Sequence, residues 1–280
     1  MKKRACFAIA AIISIFTCGL LAAPQTKPIS LPADLSPTIG PLFAGIDGAF
    51  VIYDLQAGQY ARYNAKRCAE RLPPFSSFKI VNSLIALETG VAKDADLLIP
   101  FDPAKYPEKD EWIKNGFTEW LRDHTLRSAF KNSVVWYFRE LARRIGLERM
   151  TSFMGKIGYG NGDISDGLDV FWLTGSLKIS ADEQANFLAR LLRGELAFSR
   201  RTVDIVKGIM IKETGDGKSL GVKTGGGFLG EKAFGWYVGF VEKDGRAYTF
   251  ALNMDGKTFD EVRAKRGVLA AEILGRLGIL

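Results

Sequence analysis

Apolar and polar residues alternate near both ends of the chain in a way that is typical of β-strands. Residues 49–63 hold two such runs separated by Ala57-Gly58, which predicts a β-hairpin. Three more strands are predicted in the C-terminal third, at 220–223, 234–241 and 247–253. The sequence Asp244-Gly245 predicts a tight turn between the last two of these strands.

Helical spacing dominates the middle of the chain. After Pro73-Pro74 a helix is predicted from Ser76, with apolar residues recurring up to Gly90, and we expect it to be the central buried helix. Further helices are predicted at 133–145, 147–157, 181–192 and about 260–277. A loop rich in Gly, Asn and Asp is predicted at 158–167.

Strands at both ends with helices between them indicate an α+β (mixed α/β) fold. We expect an antiparallel sheet flanked by helices, with an all-helical subdomain inserted at roughly 91–195. No repeat or long linker divides the sequence, so residues 24–280 are predicted to form one domain.

The first 23 residues have the pattern of an export signal. Three basic residues at positions 2–4 precede an apolar run at 5–21 and the small pair Ala22-Ala23. We therefore expect cleavage after residues 1–23, a periplasmic protein, and no stable membrane insertion afterwards. Cys68 would then be the sole remaining cysteine, so no intramolecular disulfide is expected.

The charge distribution argues against nucleic acid as a partner. The formal net charge is +7, of which the signal supplies three positive charges, so the mature chain carries +4. These charges are spread along the sequence, and no basic run interleaves with aromatic residues in a recognised motif.

The chain contains a single histidine, His124, which we expect at the surface or beside a helix. A zinc hydrolase needs three or more ligands at characteristic spacings, and none of those spacings occurs, so no metal is expected. A Ser-His-Asp hydrolase would have to use His124 and lacks the Gly-x-Ser-x-Gly elbow. The chemistry therefore needs a base other than histidine.

Two Ser-x-x-Lys sequences offer a hydroxyl and an amine on one helical face. Ser76 and Lys79 begin the predicted buried helix, where the two groups are close enough to exchange a proton. Ser128 and Lys131 have the same spacing but lack a preceding Pro-Pro and continue into a polar stretch. We interpret the second pair as a solvent-exposed match.

The first pair is followed by further motifs in a fixed order. These are Ser133-Val134-Val135, Tyr159-Gly160-Asn161, Phe171-Trp172-Leu173, Lys223-Thr224-Gly225 and Gly235-Trp236-Tyr237-Val238-Gly239. Their order and intervals resemble those of the class D (oxacillinase-type) serine β-lactamases over nearly the whole mature chain. The resemblance implies a β-lactamase/transpeptidase-like fold, hydrolysis of β-lactam antibiotics through a serine acyl-enzyme, and a role in antibiotic resistance.

The resemblance also implies how the proton acceptor is made. Phe78, Val135, Trp172 and Leu173 can supply an apolar pocket that lowers the pKa of Lys79 and keeps its amine neutral. Similarity to the family implies that Lys79 is N-carbamylated (N6-carboxylysine), which requires carbon dioxide and no other cofactor. The Trp172 N–H, which is a donor only, suits a carbamate oxygen.

Other residues take roles implied by the same resemblance. Ser76 is the nucleophile, Ser133 relays a proton to the leaving nitrogen, and Lys223 adds positive charge nearby. The backbone N–H groups of Ser76 and Gly226 form the oxyanion hole, and the run of glycines that starts at Gly225 lets the strand edge approach a substrate.

The β-lactam carboxylate requires a cation and a hydroxyl. Thr224 supplies the hydroxyl by resemblance, and the last helix offers Arg263 or Arg266, of which we favour Arg266. Tyr159 and Asn161 are interpreted as residues that shape the loop beside the site.

Two other functions share an acylated Ser-x-x-Lys serine: a β-lactam sensor domain and a penicillin-binding transpeptidase. A sensor normally follows several membrane helices, and a transpeptidase lacks the Trp-Leu pair, so we favour the enzyme. The expected partner is a small β-lactam molecule, and both a monomer and a homodimer agree with the sequence.

Overall fold

The computed structural model describes residues 29–114, 116–215 and 217–280, so the export signal predicted at 1–23 lies outside the described residues. The strands are β1 (Gly48–Asp54), β2 (Gln59–Tyr63), β3 (Leu98–Ile99), β4 (His124–Thr125), β5 (Ile211–Gly215), β6 (Lys218–Leu229), β7 (Lys232–Lys243) and β8 (Arg246–Gly256).

The α-helices are α1 (Ser36–Ile39), α2 (Ala65–Cys68), α3 (Lys79–Glu88), α4 (Asp110–Lys114), α5 (Leu126–Lys131), α6 (Val135–Ile145), α7 (Leu147–Ile157), α8 (Phe171–Thr174), α9 (Ala181–Arg193), α10 (Arg200–Met210) and α11 (Phe259–Arg276). Short 3-10 turns occur at Gly40–Phe43, Phe75–Phe78 and Thr118–Trp120.

The main sheet is antiparallel and joins the two ends of the described chain. Its strand order is β2-β1-β8-β7-β6-β5, so the N-terminal hairpin pairs with the C-terminal strand β8. The turn between β7 and β8 places Asp244 at φ 51° and Gly245 at φ 76°. Two successive left-handed residues give the turn that matches the twist of the strands, as this dipeptide predicts.

Both faces of the sheet are covered, because successive side chains on a strand point to opposite sides. On β1, Ala49 and Val51 face the core shared with α3, α6 and α9, whereas Phe50 and Ile52 face the core shared with α11. All seven β1 residues are consequently buried. The α+β prediction is confirmed in class, strand direction and position of the helices.

The segment between β2 and β5 holds helices α2 to α10, with the small sheet β3-β4 among them. Helix α10 was not expected from the sequence, although Val203, Val206 and Met210 are buried at helical spacing and the Ser199 side chain accepts from Thr202 N at its start. Helices therefore continue beyond residue 195, to Met210.

His124 lies beside helix α5, but the expectation that it is at the surface is wrong. Its ring is fully buried, with Nδ1 2.9 Å from Ser128 Oγ and Nε2 2.7 Å from the Glu119 carbonyl oxygen. Burial lowers the pKa of His124 below its usual value. Two hydrogen bonds satisfy the neutral ring, which removes the main cost of burying it.

The described ranges lack two features, a membrane-spanning helix and a cluster of metal ligands. No helix within them is long and apolar enough to cross a membrane. Residues 29–114, 116–215 and 217–280 also contain no group of three His, Cys, Asp or Glu side chains placed to hold a metal ion.

Candidate active site

The Ser76 hydroxyl and the Lys79 amine meet where a 3-10 turn becomes helix α3. The Lys79 Nζ lies 2.5 Å from Ser76 Oγ. Helix α3 is buried on every side from Lys79 to Leu87, so the amine has no exposed surface, whereas Ser76 is half-buried and open to a ligand. The central buried helix predicted from the sequence is thus present, and its first turn carries the reactive pair.

Ser133 and Lys223 extend this pair into a chain of hydrogen-bonded groups. Ser133 Oγ lies 3.2 Å from Lys79 Nζ and 3.0 Å from Lys223 Nζ. Ser133 has φ 55°, a left-handed conformation that is uncommon for serine and that occurs in the loop between α5 and α6. Strained residues of this kind persist where the surrounding structure holds them, often at functional sites.

The two lysines are shifted toward their neutral forms. Burial lowers the pKa of Lys79 well below its usual range, and the neighbouring Lys223 ammonium lowers it further. Burial and the charge of Arg266 lower the pKa of Lys223 to about 7. A neutral Lys79 amine can accept the proton of the serine hydroxyl, which a charged ammonium cannot do.

Trp172 lies in the short helix α8 and stacks on Phe78, the residue before Lys79, with ring centroids 5.4 Å apart. Its indole is 1% exposed, and Nε1 has no hydrogen-bond partner among the described residues. A buried N–H without a partner is rare and costly, so it calls for an acceptor at this position. Val135 and Leu173 are half-buried and line a cleft of about 340 Å³ beside α6 and α8.

Strand β6 brings Thr224 and the glycines against the serine turn. A side-chain carbon on Gly225 would lie 2.6 Å from the Pro74 carbonyl oxygen, so this position cannot carry one. A side-chain carbon on Gly226 would lie 2.9 Å from the Arg266 guanidinium. The glycines predicted to allow a substrate to approach are therefore also required by packing within the protein.

Of the two candidate arginines on α11, Arg263 and Arg266, the second is directed toward the site. Its Nη1 donates to the Gly225 carbonyl oxygen at 2.5 Å, and its residue is half-buried. Arg263 is exposed, with its guanidinium 3.7 Å from Asp260 and over the Phe117 ring.

A buried polar network behind the nucleophile was not expected from the sequence. Gln184 Nε2 donates to Ser77 Oγ at 2.7 Å, Ser77 Oγ donates to the Pro74 carbonyl at 2.8 Å, and Tyr159 donates to Gln184 Oε1 at 3.1 Å. All three polar residues are at most 2% exposed. The sequence signal for this network is Gln184, a polar residue among the positions that helix α9 buries.

The residues after Tyr159 shape the loop, as interpreted from the sequence. Gly160 has φ 56°, and a side-chain carbon there would lie 2.0 Å from the Lys178 carbonyl oxygen. Asn161 donates to the Ser176 carbonyl and accepts from Lys178 N at 2.9 Å. These bonds tie the loop after α7 to the segment after α8.

The chain is similar to several known proteins over most of its length. Residues 48–277 match the family model "Penicillin binding protein transpeptidase domain". The probable β-lactamase YbxI of Bacillus subtilis (strain 168) is 40% identical over 238 residues, covering 85% of this chain and 84% of that protein. The crystal structure of a class D β-lactamase, YbXI from Nostoc, has a TM-score of 0.80 at 38% identity, covering 89% of this chain and all of the other.

A third relative is a regulatory protein and not a β-lactamase by name. The regulatory protein BlaR1 of Bacillus licheniformis is 36% identical over 227 residues, which cover 81% of this chain but 35% of that protein. The fold and the match over residues 48–277 define a member of the family that shares the penicillin-binding protein transpeptidase domain. Within that class, the chain belongs to the class D β-lactamases, a family of serine hydrolases.

Proposed function

We propose that this protein hydrolyses β-lactam antibiotics through an acyl-enzyme on Ser76, with carbamylated Lys79 as the general base. The observation that carries the proposal is the 2.5 Å contact between Ser76 Oγ and an amine that is completely buried. Burial favours the neutral amine, and that neutral form is the one that reacts with carbon dioxide.

Acylation follows from the groups around Ser76. The general base at Lys79 accepts the proton of the Ser76 hydroxyl. Ser76 Oγ then bonds to the lactam carbonyl carbon as the ring C–N bond breaks. Ser133, between Lys79 and Lys223, passes a proton to the departing nitrogen. The backbone N–H groups of Ser76 and Gly226 stabilise the negative carbonyl oxygen, while Thr224 and Arg266 bind the substrate carboxylate.

The surroundings of Lys79 fit a carbamate. The partnerless Trp172 N–H is a donor that suits one of its oxygens, and the neighbouring Lys223, when protonated, favours a buried negative charge. When present, the carbamate supplies a carboxylate-like proton acceptor for the serine and later for the hydrolytic water. Val135 and Leu173 limit the water that reaches this position.

Turnover of a chromogenic cephalosporin, with and without added bicarbonate, tests the proposal. We expect many turnovers per protein molecule and a rate that rises with bicarbonate. A single stoichiometric burst followed by a stable acyl-protein would instead support a sensor domain or a transpeptidase. The sensor is the second candidate because of the similarity to regulatory protein BlaR1.

Trp172→Phe tests the carbamate separately from the nucleophile, because phenylalanine keeps the ring beside Phe78 and removes the N–H. We expect deacylation to slow more than acylation and the bicarbonate requirement to increase. Trp136→Phe is the matched control, since the Trp136 N–H already donates to the Trp120 carbonyl at 2.7 Å. Equal bicarbonate responses in the two variants would remove Trp172 from the mechanism.

We also propose that residues 1–23 direct export to the periplasm and are removed. The mass of the protein recovered from the periplasm tests this, with loss of about 23 residues expected. A full-length mass in that fraction would contradict cleavage.

A further inference from the structure

A second cavity opens beside the catalytic lysine Lys223, at the edge of the main sheet. It has a volume of about 450 Å³ and is bordered by α5, α10 and the start of β5. Strand β5 pairs with β6 as far as Gly221, and the cavity begins at the next residue, Val222. Lys223 and Thr224 are part of its wall, so the cavity shares two residues with the candidate active site.

The wall of this cavity is strongly basic. Four of its eleven residues are Arg127, Lys131, Lys212 and Lys223, and within the described chain none of its lining residues is an Asp or a Glu. We call it the basic pocket. Lys212 Nζ donates to the Tyr237 hydroxyl at 3.3 Å, and Lys223 Nζ donates to the Ser133 hydroxyl at 3.0 Å. Both acceptors are uncharged oxygens.

An acidic neighbour reaches one of the four cations. Arg127 Nε lies 3.7 Å from Asp96, and both side chains are more than half exposed, so solvent screens this pair. The floor of the basic pocket is apolar, with Phe130, Met210 and Val222 among its residues. An apolar floor with several cations at its wall suits an aryl group that carries an acid.

The position of the basic pocket indicates which part of a substrate would enter it. This step rests on the proposed function, in which Thr224 and Arg266 bind the substrate carboxylate. In a cephalosporin, the ring carbon that bears this carboxylate is bonded to the carbon that bears the leaving-side substituent. Because Thr224 also lies in the wall of the basic pocket, a carboxylate bound at Thr224 would place that substituent next to the pocket.

We propose that the basic pocket binds a second anionic group on the leaving side of the β-lactam and selects cephalosporins whose substituent there is an aryl acid. Arg127 and Lys131, both exposed at its outer wall, act as specificity residues and take no part in bond breaking. Charge complementarity at such a site affects substrate capture more than the chemical step.

A matched pair of cephalosporins tests the inference, one with a carboxyphenyl substituent and the other with the neutral carbamoylphenyl substituent of the same shape. At low ionic strength we expect kcat/KM to favour the acid by about tenfold, since a few partly exposed charge pairs each contribute a small factor. In Arg127→Gln/Lys131→Gln we expect this preference to fall to about one, with the neutral compound turned over as before.

The control is Lys66→Gln/Lys156→Gln, which removes the same net charge at two exposed positions outside the basic pocket. It should keep the preference for the acid. A wild-type ratio near one, an unchanged ratio in the Arg127 and Lys131 variant, or an equal loss in the control would overturn the inference.

The same pair of compounds separates this inference from the proposed function. If the protein is acylated without turnover, acylation rates read by intact mass give the same ratio, so a preference for the acid would support the basic pocket while hydrolysis failed. Absence of reaction with both compounds would overturn the proposed function and the inference with it.

Discussion

Two Ser-x-x-Lys sequences in this chain have the same spacing and opposite surroundings. Lys79 is fully buried, with its amine 2.5 Å from Ser76, because helix α3 passes through the interior. Lys131 is exposed at the end of α5, and Ser128 caps the start of that helix by exchanging hydrogen bonds with Thr125. Spacing alone therefore creates no reactive pair, since the amine becomes a base only where the fold removes it from water.

The second pair still contributes to the site indirectly. Helix α5 ends at Lys131, and the chain then turns through Ser133, whose left-handed backbone presents its hydroxyl to Lys79. Ser128 in turn contacts the buried ring of His124 at 2.9 Å. One copy of the motif thus provides reactive groups, and the other anchors the helix that positions a third.

Removing the hydroxyl of Ser76 and that of Ser128 should have the most different effects on activity. We expect Ser76→Ala to lower turnover by about 10⁴-fold or more, because the nucleophile is lost. Ser128→Ala should keep most of the activity and lower the free energy of unfolding by about 1 kcal/mol, the usual cost of a lost cap. Steady-state kinetics and urea unfolding of both variants measure these effects, and similar activity losses would show that both serines are catalytic.

Burial of the lysines should appear in the pH dependence of stability. With Lys79 uncarbamylated, Lys223 has a pKa of about 7 when folded and about 10.4 when unfolded, so its desolvation cost is fully present below pH 7 and disappears as the pH rises toward 10.4. Lys223→Met removes that cost. The unfolding free energy of Lys223→Met minus that of wild type should therefore decrease by roughly 2–4 kcal/mol between pH 7 and pH 10.

Lys131→Met is the matched control, because its side chain is exposed. Urea unfolding at several pH values should give the same pH dependence as wild type for this variant. Parallel curves for Lys223→Met and wild type would mean that Lys223 is solvated in the folded protein.

The middle residues of the two motifs differ as well, since Ser77 is held by Gln184 and the equivalent position in the second motif is Ala129. Gln184→Leu removes the donor to Ser77 Oγ and the acceptor of the Tyr159 hydroxyl, while Ser77 keeps its bond to the Pro74 carbonyl. We expect a loss of about 1–3 kcal/mol in stability and slower acylation, because the turn that carries Ser76 is less firmly held.

The exposed amide Asn186 on the same helix provides the control, as its side chain bonds to the Tyr60 hydroxyl at 3.0 Å. Asn186→Leu should leave acylation unchanged. If thermal stability falls in Gln184→Leu while the acylation rate does not, the network stabilises the fold without positioning the nucleophile.

Much of this arrangement could be predicted from local sequence. The hairpins and the buried helix depend on periodicity and turn residues, which act over a few positions, whereas the roles of the site residues follow from the resemblance of the ordered motifs to the class D β-lactamases. The Gln184 network, the burial of His124 and the choice between Arg263 and Arg266 depend on distant residues that meet in the fold. The residues next to one glutamine or one arginine in an amphipathic helix do not indicate which distant residue its side chain contacts.

The smallest effect is expected at His124, which bonds to the serine of the second motif. Burial lowers its pKa, so below pH 6.5 the unfolded chain binds a proton first. Stability contributed by the neutral ring is thus complete above that pH and falls as the pH decreases through the folded pKa.

His124→Gln keeps a donor and an acceptor but does not titrate, and the chain has no other histidine. Wild type should therefore lose more unfolding free energy than this variant between pH 7 and pH 5, as measured by urea unfolding. Glu119 and Asp123, whose charges raise the pKa of His124, are present in both proteins. Equal losses would show that the ring accepts a proton inside the folded protein at no cost in stability.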